Sequence, residues 1–291
     1  MTSKRSLTVL LIGWLLCVCF MLVRGRADIV TIGTDIVWPL VVLLCAWVTT
    51  RIAPAPEPLA RPTDARPRII LQLVVIGIFI ILTGLRGAQG HGLMTVWIPG
   101  WSPLLAFFAS LGSHIGMASD VTNFGSYVVV PGILVMLLGA RLGEIGFARF
   151  GPNIGRLSAL WLAFPAVLWA IAIARGVSPG FMIFALIRNV LSNGISEEFL
   201  WRGLLFTRLR ALVSTETALW TQAVLFGLWH FGYDYSSAPH HDLALMVADM
   251  FSSQVVLGYA FAWLMLRTRN IVLPTAVHAA FDSLGDAFGA T

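Results

Sequence analysis

Charge is what this sequence has least of. Only 11% of its 291 residues are Asp, Glu, Lys or Arg, where a soluble domain carries about 25%. Hydrophobic residues make up 58%, and the mean hydropathy is +0.84. Such a chain cannot coat a core with polar surface in water, whereas lipid asks for no such coat, so the composition points to a multi-spanning membrane protein. Cysteine is scarce as well. Cys17, Cys19 and Cys45 all lie in apolar runs, and an odd number in hydrocarbon gives no disulfide framework. Cys17 and Cys19 face nearly opposite sides of a helix and read as lipid- or helix-facing residues rather than ligands. There is no internal repeat and no H-E-x-x-H motif, so no tight ligand spacing argues for zinc. The net charge of +5 comes almost entirely from arginine. Those arginines stand between apolar runs rather than in one patch, which argues against a nucleic-acid partner and suits loops at an anionic leaflet.

What is present is a series of apolar runs. A span needs roughly 20 apolar residues, and runs of about that size cover 6–23, 31–50, 69–85, 124–140, 157–174, 179–195 (continuing toward 210), 217–232, 243–266 and 271–288. The expected fold is an all-α, polytopic transmembrane bundle of about eight to nine spans. Lys4 and Arg5 followed by an apolar stretch resemble a signal peptide, but the stretch is long and no A-x-A site follows, so it reads as a first span. The short segment 101–113, WSPLLAFFASLGS, reads as an interfacial or re-entrant piece. Residues 51–68, RIAPAPEPLARPTDARPR, form a Pro- and Arg-rich loop, and 86–100 and 114–123 read as polar loops. Arginine placement puts the N-terminus in the cytoplasm, leaving Arg24, Arg26, Arg86 and Arg175 outside. The expected location is the plasma (inner) membrane.

Ionisable groups at bilayer depth cost at least a few kcal/mol each and mark function or a pairing need. Glu197, Glu198 and Arg202 stand in S196-E-E-F-L-W-R202. Glu198 and Arg202 are one helical turn apart and so form a pair. Glu197 points about 100° away and is left facing something else. A lone carboxylate in an apolar site is suited to be a general base, though a structural Glu–Arg pair with a spare glutamate explains the same residues. His230 closes F226-G-L-W-H230. His278 and Asp282 share a face in H278-A-A-F-D282, where the carboxylate can orient the imidazole or the pair can bind metal. Asp249, Ser252, Ser253 and Gln254 read as an interhelical hydrogen-bond patch rather than a wet cavity. Arg188 needs an acidic partner that the sequence does not identify.

Depth ties three of these together. Measured from cytoplasmic helix ends at Arg210, Thr217 and Arg269, the residues Glu197, His230, His278 and Asp282 lie 9 to 13 positions into their helices, roughly 14–20 Å above the membrane edge. Three helices thus deliver Glu, His and His/Asp near mid-membrane. That inventory can activate a water and stabilise an oxyanion, or hold a metal.

The ordered set E197-E198-x-x-x-R202, F226-x-x-x-H230 and H278-x-x-x-D282, with the run G258-Y-A-F-A-W to P274-T-A-V-H278, resembles the CPBP family. These are type II CAAX prenyl endopeptidases and their bacterial Abi-type relatives. The resemblance covers 155–291 and leaves 1–150 as an N-terminal transmembrane extension. It implies an intramembrane endopeptidase with a buried polar cavity in the C-terminal half. By position, Glu197 would be the general base, assisted by His230. His278 and Asp282 would form the oxyanion side, and Glu198 and Arg202 would hold helix geometry, with Phe226 supporting. Many members have Asn where this chain has Asp282. A charged Asp would repel an oxyanion unless protonated or turned onto His278. Members of the family are described both as metalloproteases and as metal-independent glutamate proteases; without an H-E-x-x-H the expectation here is no cofactor, and the alternative is zinc on Glu197, His230 and His278. Expected partners are membrane lipids and a membrane-associated protein or peptide substrate. A non-catalytic immunity or scaffold protein of the same fold is the runner-up. A proton-coupled transporter is a third reading, disfavoured because the polar residues are confined to one half.

Overall fold

The computed structural model describes residues 4–26, 28, 31–53, 65–238 and 241–289. Among these, every extended regular element is a helix. Lipid dictates this, because a helix satisfies its own backbone donors and acceptors. In order they are α1 Lys4–Val23, α2 Ile32–Ile52, α3 Arg66–Gly90, α4 Trp101–Ser113, α5 Ala118–Leu137 and α6 Ile154–Ala174. Then come α7 over 179–212, α8 Thr215–Trp229, α9 Phe231–Ser237, α10 Leu243–Thr268 and α11 Val272–Gly289. Six of them, α1, α2, α3, α5, α6 and α10, are long and apolar enough to cross a membrane. The chain is an all-α polytopic membrane bundle. α7, α8 and α11 carry the charged motifs and run alongside those six.

Several boundaries differ from the expectation. Helix takes in both ends of the 51–68 loop, since α2 runs to Ile52 and α3 starts at Arg66 with Pro67 in its first turn, where proline lacks no needed donor. Residues 54–64 lie outside the described residues. α3 continues through Gly90, so Arg86 is helical rather than in a loop. α5 starts at Ala118, which makes Asp120 and Asn123 helical too. The segment 101–113 is a regular helix of 13 residues, about 20 Å long. It turns back onto α5 at Gly112, where an added Cβ would run into the Met117 carbonyl oxygen. α8 ends at Trp229, short of 232, because the backbone leaves helical geometry at His230.

Most of the helices share a main apolar core, running from Leu7 and Trp14 in α1 through Trp38 in α2 and Phe79 in α3 to Phe226, Phe261 and Val277, and a smaller cluster joins Ala172, Met182 and Leu284. The N-terminal extension is therefore packed into the same core as the motif helices. Trp38 stacks face to face on Phe281 of α11, with ring centroids 3.8 Å apart. The polar patch of α10 is built differently from the expected one. Ser252 and Ser253 bond back to the Asp249 carbonyl at 3.0 and 2.9 Å within their own helix. The interhelical partner belongs to Asp249, whose carboxyl hydrogen-bonds that of Asp35 in α2.

Candidate active site

α7 is not uniformly α-helical. It widens into π-helix at Val190–Gly194 and again at Glu198–Phe206, the kind of insertion that recurs at functional sites because it re-aims side chains. All nine residues of the second stretch are buried. Gly194 sits where α11 crosses, and a Cβ there would lie 3.0 Å from the Ala279 methyl and 3.2 Å from the Thr275 carbonyl oxygen. The missing side chain lets the two helices close.

They close in antiparallel register. Asn189 donates to Asp286 at 2.8 Å, Asn193 donates to Asp282 at 2.9 Å, and Glu198 Oε1 lies 3.0 Å from His278 Nδ1. Arg202, one turn below Glu198, brings Nη1 within 3.1 Å of the same Oε1, with both side chains fully buried. Its guanidinium lies 4.3 Å from the Phe226 ring centroid and 5.6 Å from that of Phe261. A buried charge needs a counter-charge and polarisable contacts, and Arg202 has both. Glu198 therefore serves Arg202 and His278 together, where the sequence paired it with Arg202 alone.

Glu197 faces the other way, as the helical period requires. Its Oε2 lies 3.8 Å from His230 Nε2 and 3.9 Å from His278 Nε2. His230 stands where α8 breaks, and its Nδ1 is 2.9 Å from the Phe226 carbonyl oxygen. A carbonyl only accepts, so Nδ1 carries the proton, and in the neutral ring Nε2 presents a lone pair toward Glu197. His278 has Glu198 at Nδ1 and Asp282 Oδ2 3.5 Å from Nε2. Both its nitrogens face carboxylates, which arranges it as a donor. Asp282 is thus turned onto His278 and simultaneously held by Asn193. The side chains of Glu197, His230, His278 and Asp282 are 10, 15, 12 and 24% exposed, so the cluster is enclosed but reachable. Among the described residues, no three His, Cys, Asp or Glu side chains are grouped as a metal site.

The extension contributes to the wall. Buried Tyr127 of α5 is hydrogen-bonded with Arg86 of α3 and is in electrostatic reach of Glu197. Arg86 also donates to Asn123, which donates to the Ser192 carbonyl at 2.9 Å. Trp229 packs edge-on against both Tyr127 and His230 and donates to Thr83 at 3.1 Å. Sequence reasoning passed over Tyr127, Arg86 and Asn193. Asn193 carried a signal, a carboxamide one turn before the glutamates; the other two were far away in sequence. Arg188 finds its acid in the same extension, 3.3 Å from Asp120.

No curated protein and no solved structure matches the chain. Residues 179–284, from the first turn of α7 to five residues short of the end of α11, hold every motif residue of the cluster, and this segment matches the family model described as type II CAAX prenyl endopeptidase Rce1-like, the family its motifs resemble.

Proposed function

We propose that the chain is an intramembrane endopeptidase that hydrolyses a peptide bond of a membrane-associated substrate with a glutamate-activated water. The observation that supports this most is the position of Glu197 Oε2, 3.8 and 3.9 Å from two imidazole Nε2 atoms delivered by separate helices. Those spans are too long for direct hydrogen bonds and suit one bridging water. His230 Nε2 accepts one proton of that water in a hydrogen bond. Glu197 removes the other as the oxygen attacks the scissile carbonyl. The developing oxyanion accepts a hydrogen bond from Nε2–H of His278, which Glu198 orients from behind. Collapse of the tetrahedral intermediate breaks the C–N bond, and the proton held by Glu197 passes to the leaving amine. Asp282 acts through His278, orienting its ring. A positioned base of this kind contributes about 10²- to 10⁴-fold to the rate.

The test is cleavage of a lipid-modified fluorogenic peptide panel by detergent-purified protein. Wild-type cleavage that Glu197→Gln abolishes and a chelator leaves intact supports the glutamate mechanism. Cleavage lost to chelator and restored by zinc would assign the same residues to a metal. Binding of the panel by both proteins with no turnover in either would favour the non-catalytic reading.

A further inference from the structure

The two ends of the bundle differ chemically. At one end lie the starts of α1, α3, α6, α8 and α11 and the ends of α2, α5, α7 and α10. Arg51, Arg66, Arg141, Arg156, Arg208 and Arg267 stand there with most of the other arginines, and its described acids are Glu144 and Glu216. The opposite half holds every described aspartate, from Asp28 to Asp286, and only Arg24, Arg26, Arg86, Arg175 and Arg188.

The catalytic cluster is closed toward the arginine-rich end and open toward the aspartate-rich one. Below Glu197 every residue from Glu198 to Phe206 is buried, and Phe226, Phe261 and Trp263 fill the level beneath at 2, 1 and 1% exposure. Above it exposure rises: Asp282 is 24% exposed, Asn193 is half-buried, and Asp286, one turn further on, is exposed. α9 follows directly on His230 at this end, and its Tyr233 is 50% exposed and in electrostatic reach of Asp282. Among the described residues, polar side chains of rising exposure thus lead from the cluster to the aspartate-rich end, whereas Arg202 and Arg208, toward the other end, are buried.

We infer that the substrate reaches the cluster from the arginine-poor, aspartate-rich end, which faces away from the cytoplasm. The arginine bias sets that orientation, because basic residues flanking spans are retained on the cytoplasmic side. Resting on the peptidase reading, the inference narrows the substrate to a membrane-anchored segment presented on the extracytoplasmic side. The step that supplies it is then a translocation that carries the scissile segment across the membrane before cleavage.

The test uses the full chain in intact cells with Cys17, Cys19 and Cys45 replaced by serine and one cysteine returned. Ser236→Cys marks the end of α9, Arg156→Cys the start of α6, and Asn193→Cys the mouth of the cluster, with Asp286→Cys as a second mouth position should Asn193→Cys not accumulate. With a membrane-impermeant thiol reagent, Ser236→Cys and the mouth cysteine are expected to react in intact cells. Arg156→Cys is expected to react at least tenfold faster after permeabilisation. Reaction of Arg156→Cys in intact cells overturns the orientation. A mouth cysteine that reacts only after permeabilisation, or not at all, while Ser236→Cys reacts outside, overturns the opening. Labelling needs no turnover, so it is decided independently of the peptidase reading. Added peptide should be cut at least tenfold faster by right-side-out than by inside-out vesicles. The reverse ratio overturns the inference, and inactivity from both sides counts against the peptidase reading and leaves labelling to decide.

Discussion

Glu198 Oε1 stands 3.0 Å from His278 Nδ1 and 3.1 Å from Arg202 Nη1. One oxygen thus couples a buried cation in α7 to the imidazole that α11 brings to the cleft. The neighbouring glutamates are therefore expected to fail differently. Glu198→Gln leaves Arg202 as a buried charge without its counter-ion, a change that costs about 3–5 kcal/mol. It should lower the melting temperature in detergent sharply and activity with it. Glu197→Gln removes no ion-pair partner of Arg202 and should melt within a few degrees of wild type while losing about 10²-fold or more in kcat. Parallel melting and cleavage assays read both, and equal destabilisation by the two variants would undo the division of labour.

In the proposed peptidase mechanism, Asp282 orients His278 rather than meeting the oxyanion. Asp282→Asn keeps a carbonyl oxygen that can accept from Asn193 and can lie against His278. It should retain activity within about tenfold, the span of one neutral hydrogen bond. Asp282→Ala removes both contacts and should lose more than that, mostly in kcat rather than KM. If Asn is as inactive as Ala at this position, the orienting role is wrong.

The helical period alone makes the paired charge at Glu198 and Arg202 legible, along with the divergent direction of Glu197. Ordered motifs and arginine placement likewise reveal a helical membrane bundle with a shared depth for three polar helices. What cannot be read is long-range. Nothing local relates Asn193 to Asp282, 89 positions apart, or Tyr127 to Glu197. Helix ends are misplaced where polar residues such as Arg86, Asp120 and Asn123 continue a helix, because they are satisfied by tertiary partners rather than by water. The π-helical stretches are invisible too, since a widened turn has no periodic signature of its own in so short a run.

Gly194 tests how closely α7 and α11 must approach. A methyl there meets the Ala279 side chain at 3.0 Å and backbone oxygens of Asn189 and Thr275 at 3.1 and 3.2 Å. Backbone cannot yield as a flexible side chain would, so Gly194→Ala should cost about 1–3 kcal/mol. Because Asn193–Asp282 and Glu198–His278 flank the contact, kcat should fall further than that stability loss alone produces in a fully folded sample. Gly285→Ala, at an exposed position of α11 where the new Cβ would meet nothing within 4 Å beyond its own stretch of helix, is the control and should change neither.

Asp234 lies in α9, between the α8 and α10 segments, buried to 1% exposure. Burial, then the nearby Asp249 carboxylate, push its carboxyl up to about 8 from an ordinary 3.8. A raised carboxyl keeps its proton in the folded chain after the unfolded chain has released it. The folded state therefore binds more protons between those two values, and stability falls as pH rises through that window. Above about 8 the loss is complete. Asp234→Asn removes the ionisation and keeps the shape, so it should come nearest to wild type at about pH 4 and melt increasingly higher toward pH 9, by a gain on the order of 1–3 kcal/mol. Melting curves of both proteins in detergent from about pH 4 to 9 check this. Parallel curves at all pH values would mean that Asp234 is solvated in the folded protein and that α9 does not bury it.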